Sequence, residues 1–297
     1  MRALAALLTA LALAAPACAD PLAAQLFSAQ TAPSPGPADP VGTYARGCAG
    51  GNVALPESGP TWQVMRLSRD RYWGNPVTIS FLEDLSRHAA TQKGWKGLYI
   101  GDIGEPRGGP MPSGHASHQI GLDADVWFLP PRTVHLSRAA REEVSSISVR
   151  TADQRHINAN FTQSTADILA HAAADPRVDR IFVAAAIKLA LCRNARPQDT
   201  FWLQKLRPWY GHNDHFHVRL KCPPGARDCE TQHPTVAELS HGGYGCDKTL
   251  DWWVTTYLYE LRHPPPPPTH PRPHRRGPRE YLMSDLPAKC SAVLAAP

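Results

Sequence analysis

The side chains best equipped for chemistry fall in two short runs. "GHASHQIGLDAD" (114–125) holds His115, His118, Asp123 and Asp125, and "GHNDHFH" (211–217) holds His212, Asp214, His215 and His217. Successive side chains of a β-strand point to opposite faces. Read that way, "HFHVRLKC" (215–222) turns Phe216, Val218 and Leu220 into a core and His215, His217 and Arg219 to the other face. "LDADVWF" (122–128) likewise sets Asp123 and Asp125 opposite Leu122, Ala124 and Val126. His118 precedes Asp125 across Gly121, a spacing that suits a loop feeding a strand; the helical H-E-x-x-H zinc motif is absent. Two imidazoles and one carboxylate make a three-ligand set for Zn²⁺, with a fourth position open to water, the catalytic rather than the structural pattern. Such a metal acidifies water and polarises carbonyls, which is chemistry for hydrolysis. Spacing alone leaves His215 and His217 both open as the strand ligand.

Amide hydrolysis also needs a proton carrier. Neither run contains a glutamate, and the titratable neighbours are His212, Asp214 and His215. An imidazole, with its ordinary pKa near 6.5, exchanges protons at neutral pH. Serine chemistry has no foothold, because G-x-S-x-G, S-x-x-K and K-T-G are all missing.

The elements that must position these groups are legible in outline. A helix is expected over 78–92, a strand over 98–104, a helix over 164–174 with Ser164 as its N-cap, and a strand over 178–185 followed by a short helix through Leu189. With strands at both histidine runs, the mixture predicts a single α+β domain, a central antiparallel sheet flanked by helices and long loops. The start of the chain has Arg2, an Ala/Leu run and Ala17-Cys18-Ala19, which reads as a secretory signal peptide over 1–19. Its apolar run falls short of the ~20 residues that span a bilayer, and nothing else is apolar enough, so no membrane insertion is expected. Residues 20–45 read as a flexible lead-in, 46–297 as the folded domain, and the Pro-rich 263–279 as an exposed loop within it. Beyond Cys18, Cys48, Cys192, Cys222, Cys229, Cys246 and Cys290 form an even set in an exported chain, hence disulfide staples, and a cysteine nucleophile is not expected. Fifteen pairings are open, and only Cys222 and Cys229 are near enough to favour a local one. The net charge of +5 is scattered, and export argues against nucleic acid as a partner.

"PRGGPMPSGHASHQIGLDADVWF" (106–128) and "LRPWYGHNDHFHVRLKCP" (206–223) resemble the penicillin-insensitive murein endopeptidases, within the zinc group of lysostaphin-type enzymes, D-Ala-D-Ala peptidases and hedgehog domains. The resemblance runs from about Cys48, through "RYWGNP" (71–76), to the Cys290 region. It implies a catalytic zinc on His118, Asp125 and His217, with His212 and His215 required for function. It also implies a second zinc at a subunit interface on His115, Asp153 and His156, and so a homodimer. The implied substrate is the D-alanyl–meso-diaminopimelyl cross-link of periplasmic peptidoglycan. Arg107 and Arg219 are expected to receive stem-peptide carboxylates, and Trp127 and Tyr210 to line the cleft. Two alternatives share the same motifs: a D,D-carboxypeptidase or dipeptidase on uncrosslinked stems, and a non-catalytic zinc-containing wall-binding module.

Overall fold

The computed structural model describes residues 20–267, 269–270 and 273–297; the expected signal peptide lies outside them. The centre is a six-stranded sheet: β1 (Trp62–Val64), β2 (Leu98–Ile100), β3 (Asp123–Trp127), β4 (Val178–Val183), β5 (Leu206–Pro208) and β6 (His215–Leu220). In space they run β1-β2-β3-β6-β4-β5. The inner pairs β2/β3, β3/β6 and β6/β4 are antiparallel. The outer pairs β1/β2 and β4/β5 are parallel, so the sheet is mixed, antiparallel at its centre only. The site lies on the antiparallel centre.

The core follows the expected alternation. Leu122, Ala124, Val126, Phe216, Val218 and Leu220 are all buried, packed under the helices Pro76–Ala90 and Gln163–Ala174. Asn75 caps the first helix by accepting from the Val77 amide, with Pro76 already fitted to the first turn. The second is capped by Thr162 and not by Ser164, whose hydroxyl instead donates to the Lys93 carbonyl. The loop after β2 continues along β3 in the plane of the sheet (Gly101 N to Asp125 O, Asp125 N to Asp102 O). On the opposite face of β3 and β6, Asp123, Asp125, His217 and Arg219 are buried as well.

Residues 20–45 are not a flexible lead-in. A helix spans Ala23–Ser28, and Asp39–Thr43 pairs with Arg46–Gly50 in a hairpin. Phe27 is fully buried in a second small core with Val41, Cys48, Cys290 and Val293. Its ring packs so close to Gly109 that a Cβ there would lie 2.2 Å from it, and Gly109 has φ +85°. Burying one aromatic ring stabilises by about 1.5–3 kcal/mol. The hairpin hydrogen bonds, the other buried side chains and the Cys48–Cys290 bond add to it in ordering a segment whose Pro/Ala/Ser composition looks like a linker. Cys48–Cys290 ties this hairpin to the C-terminal helix; Cys192–Cys246 and Cys222–Cys229 complete the staples.

Glu105 sits under the Ala23–Ser28 helix, with Ser28 donating to Oε1 at 2.7 Å and Oε2 unpartnered. Burial pushes its carboxyl up from 4.5 to about 7. The folded chain thus holds this proton more tightly than the unfolded one. Its contribution to stability is full below about pH 4.5 and is lost as pH rises through about 7, on the order of 3 kcal/mol in all. Glu105→Gln should equal the parent in urea unfolding at pH 4 and exceed it by about 3 kcal/mol at pH 8. Parallel curves for the two proteins at both pH values would contradict this.

Candidate metal centre

The register of β3 against β6 builds the site. His217 stands directly opposite Asp125, and Arg219 opposite Asp123, whereas His215 stands opposite Trp127. His118 arrives from the loop before β3 with φ +69°, a left-handed conformation that costs a non-glycine residue energy and tends to mark functional positions. Gly121 permits the bend, since a Cβ there would lie 2.5 Å from Asn52 Oδ1. His212 (φ +41°) and Arg66 (φ +57°), which line the neighbouring cleft, are left-handed as well.

Asp125 Oδ1 lies 3.5 Å from His118 Nε2 and 3.4 Å from His217 Nδ1. Those gaps are too long for good hydrogen bonds. His118 Nε2 and Asp125 Oδ1 are buried with no hydrogen-bond partner among the described residues. Ligand bonds of about 2.0–2.1 Å at tetrahedral angles would set donor atoms about 3.3–3.4 Å apart, close to this spacing. The three donors therefore fit a zinc ion. Each is also held for that task. His118 Nδ1 donates to the Ile103 carbonyl at 2.8 Å, which leaves the Nε2 lone pair facing inward. His217 Nε2 lies 3.0 Å from Asp123 Oδ1, close though not aligned as a hydrogen bond. Burial pushes His217 down to about 3, the neutral form a ligand needs. Burial opposes the charge of Asp125, but His215, His118 and His115 hold it well below the usual carboxylate range.

His115, His118 and Asp125 also present ligand atoms within 4.8 Å of one another. His115, however, already bonds Asp102 Oδ2 through Nε2 at 2.9 Å, and its Nδ1 is 3.6 Å from the other oxygen of Asp125. It stands beside the triad. Asp153 and His156 lie in an exposed turn where Thr151 donates to Asp153 Oδ1. Among the described residues neither bonds His115 within the chain.

Two lobes of one cleft meet at His115 and His215. A lobe of about 250 Å³ is walled by Arg66, Arg69, Asp102, Trp127 and Ser145; one of about 700 Å³ by Trp209, Tyr210, His212 and residues 277–280, where the Pro-rich loop returns. Arg279 fastens that return to the Gly114 carbonyl at 2.7 Å. Trp127 lines the smaller lobe and Tyr210 the larger. Arg107 and Arg219 do not reach it. The buried Arg107 guanidinium donates to the carbonyls of Ala32, Val293, Leu294, Ala296 and Pro297, tying down the last helix. Arg219 forks onto Asp123 at 2.8 and 3.0 Å. Five unpaired carbonyls in one case and a buried carboxylate in the other claim these cations first. Asp102 was missed by sequence reasoning, and its only signal was a lone acid following a strand in "YIGDIG".

A cleft lined by Asp125 and His217, with His118 buried behind them and His212 and His215 at its edge, carries the donors and proton carriers of a metallopeptidase type of site. A family model described as penicillin-insensitive murein endopeptidase matches residues 40–295. The chain is 39% identical over 252 residues to the penicillin-insensitive murein endopeptidase of Haemophilus influenzae, covering 84% of this chain and 83% of that one. It is 38% identical over 274 residues to that of Salmonella arizonae, 92% of each. This chain belongs to the penicillin-insensitive murein endopeptidase family.

Proposed function

We propose that the protein is an exported, zinc-dependent murein DD-endopeptidase that hydrolyses D-alanyl–meso-diaminopimelyl cross-links in the periplasm. The observation that carries this reading is the donor set of His118, Asp125 and His217, of which Asp125 lines one lobe of the cleft and His217 the other. An interior bond of a branched peptide needs room on both sides; a carboxypeptidase needs it on one. Zinc, when bound, supplies a Lewis acid that polarises the scissile carbonyl and acidifies water.

The chain's own residues handle the protons. His212 donates from Nδ1 to the Tyr210 carbonyl at 2.8 Å, which leaves Nε2 as an acceptor. Burial, reinforced by His215, pushes it down to about 4, so it is neutral and serves as the base. His215 bonds Asp214 Oδ1 through Nδ1 at 2.7 Å, while Nε2 lies 3.7 Å from Asp125 Oδ2. Burial works against its charge, yet Asp125 and Asp214 raise it to about 9. The Asp214 hydrogen bond holds a proton on His215 Nδ1 independently of Asp125. His215 is then the proton donor toward the developing oxyanion and the leaving amine, the two histidines being driven apart by environment. Penicillin acts by acylating a nucleophilic side chain; these residues hold ligands or move protons, and offer it nothing to acylate.

His212→Ala and His215→Ala should each keep stoichiometric zinc while turnover falls at least ~10²-fold. Near-normal turnover at full zinc content would remove that histidine from the mechanism. The activity itself is tested by digesting purified cross-linked murein with and without chelator and penicillin. Cross-linked dimers should disappear and intact monomers accumulate, with chelator stopping the reaction and penicillin not. Trimming of terminal D-alanine alone would overturn the endopeptidase in favour of a carboxypeptidase. Absence of any product at full zinc loading would leave a wall-binding module.

A further inference from the structure

The smaller lobe of the cleft is lined by two guanidiniums, Arg66 and Arg69, that the mechanism leaves unused. Asp102 meets Arg69 and Arg71, each at 3.2 Å, and His115 at 2.9 Å, so one carboxylate faces two guanidiniums and an imidazole. Burial opposes its ionisation, but His115 and Arg69 hold it at about 2. The other two acids of the lobe are taken: Asp125 belongs to the ligand set and Asp214 bonds His215. Arg69 spends only Nη1 on Asp102, and its side chain is 49% exposed. Arg66 donates to Ser145 Oγ at 3.2 Å and lies 5.9 Å from the Trp127 ring centre. Two part-exposed guanidiniums, one positioned by an aromatic ring and the other by a buried acid, are suited to a planar anion.

The proposed reaction says which anion would reach them. In a D-alanyl–meso-diaminopimelyl cross-link the leaving nitrogen sits on a carbon that bears a free carboxylate. That group is two bonds from the nitrogen released, and so falls beside Asp125 and His215. A cross-link made through a lysine side-chain amine has no carboxylate there. Resting on the endopeptidase reading, we propose that Arg66 and Arg69 form the subsite for the leaving-group carboxylate and select cross-links made through a carboxylated amine. They take the role expected of Arg107 and Arg219, which the fold turns inward.

The test compares two soluble cross-linked muropeptide dimers, one with this carboxylate free and one with it amidated. The unmodified enzyme should prefer the free form by about 10- to 100-fold in kcat/KM, the worth of charge-assisted hydrogen bonds. In an Arg66→Gln/Arg69→Gln double variant the ratio should collapse to within about threefold of unity, with Arg66→Gln alone intermediate. A second arm needs no turnover. Calorimetric binding of the monomeric product, with its carboxylate free or amidated, should show the same preference in zinc-loaded and zinc-free protein, lost in the double variant. Equal handling of both forms by the unmodified protein, or a preference surviving in the double variant, would overturn the subsite. Failure to cleave either dimer would overturn the endopeptidase reading, and the binding arm would still decide the subsite.

Discussion

Asp125→Asn is expected to abolish stoichiometric zinc binding and to lower murein hydrolysis by at least about 10³-fold, since a metal's electrostatic contribution of several kcal/mol corresponds to that factor. The substitution keeps the side chain's shape and removes its charge. Asp125 Oδ1 is the atom on which the other two donors converge, at 3.5 Å from His118 and 3.4 Å from His217. Without its charge a divalent cation would meet two neutral imidazoles in a buried site, with Asp123 already engaged by Arg219. The loss should also appear away from activity. Ligands that bind only the folded state stabilise it, so chelator should lower the melting temperature of the parent and leave that of Asp125→Asn unmoved. A variant retaining one zinc per chain, or one whose melting temperature still responds to chelator, would show that the metal is held elsewhere.

Arg219→Leu should cost about 3–5 kcal/mol of stability, the toll for leaving a buried charge without its partner. Asp123 is fully buried. It receives both arms of Arg219, accepts from the His118 amide at 2.9 Å, and approaches His217 Nε2 at 3.0 Å. The guanidinium also lies 4.2 Å from the Tyr44 ring centre, so packing is lost along with charge. Since Asp123 steadies two of the three proposed ligands, zinc affinity should fall about 10- to 100-fold. Urea unfolding of the zinc-free proteins and chelator-competition titrations measure the two effects. Adding Asp123→Leu to Arg219→Leu should restore much of the stability but none of the affinity. If Arg219→Leu unfolds within about 0.5 kcal/mol of the parent, the pair is not the support described here.

What the sequence determined by itself is tied to periodicity and composition. Alternation in "LDADVWF" and "HFHVRLKC" separated core from polar face correctly at Leu122, Ala124, Val126, Phe216, Val218 and Leu220. The same alternation kept His118, Asp125 and a histidine of β6 as candidates for one centre. An even set of cysteines in a chain read as exported foretold staples. The longer helices were legible because an apolar stripe recurs every three to four residues. The family resemblance added the choice of His217, which parity could not make, because His215 and His217 share a face.

Tertiary structure decided the remainder, for a physical reason. Periodicity says which face a side chain takes, while its partner depends on the hydrogen-bond register between strands distant in sequence. The β3/β6 register put His217 across from Asp125 and sent His215 to Trp127. It also paired Arg219 with Asp123, and packing gave Arg107 to the C-terminal carbonyls, removing both from the cleft. Asp102 and Arg66 reach the site from loops and Arg69 from a single 3₁₀ turn, where no repeat announces them. Residues 20–45 looked like a linker because one buried ring, Phe27, leaves no pattern in composition. Of the fifteen pairings open to six cysteines, chain folding selected three bonds, and only the local Cys222–Cys229 could be read from spacing.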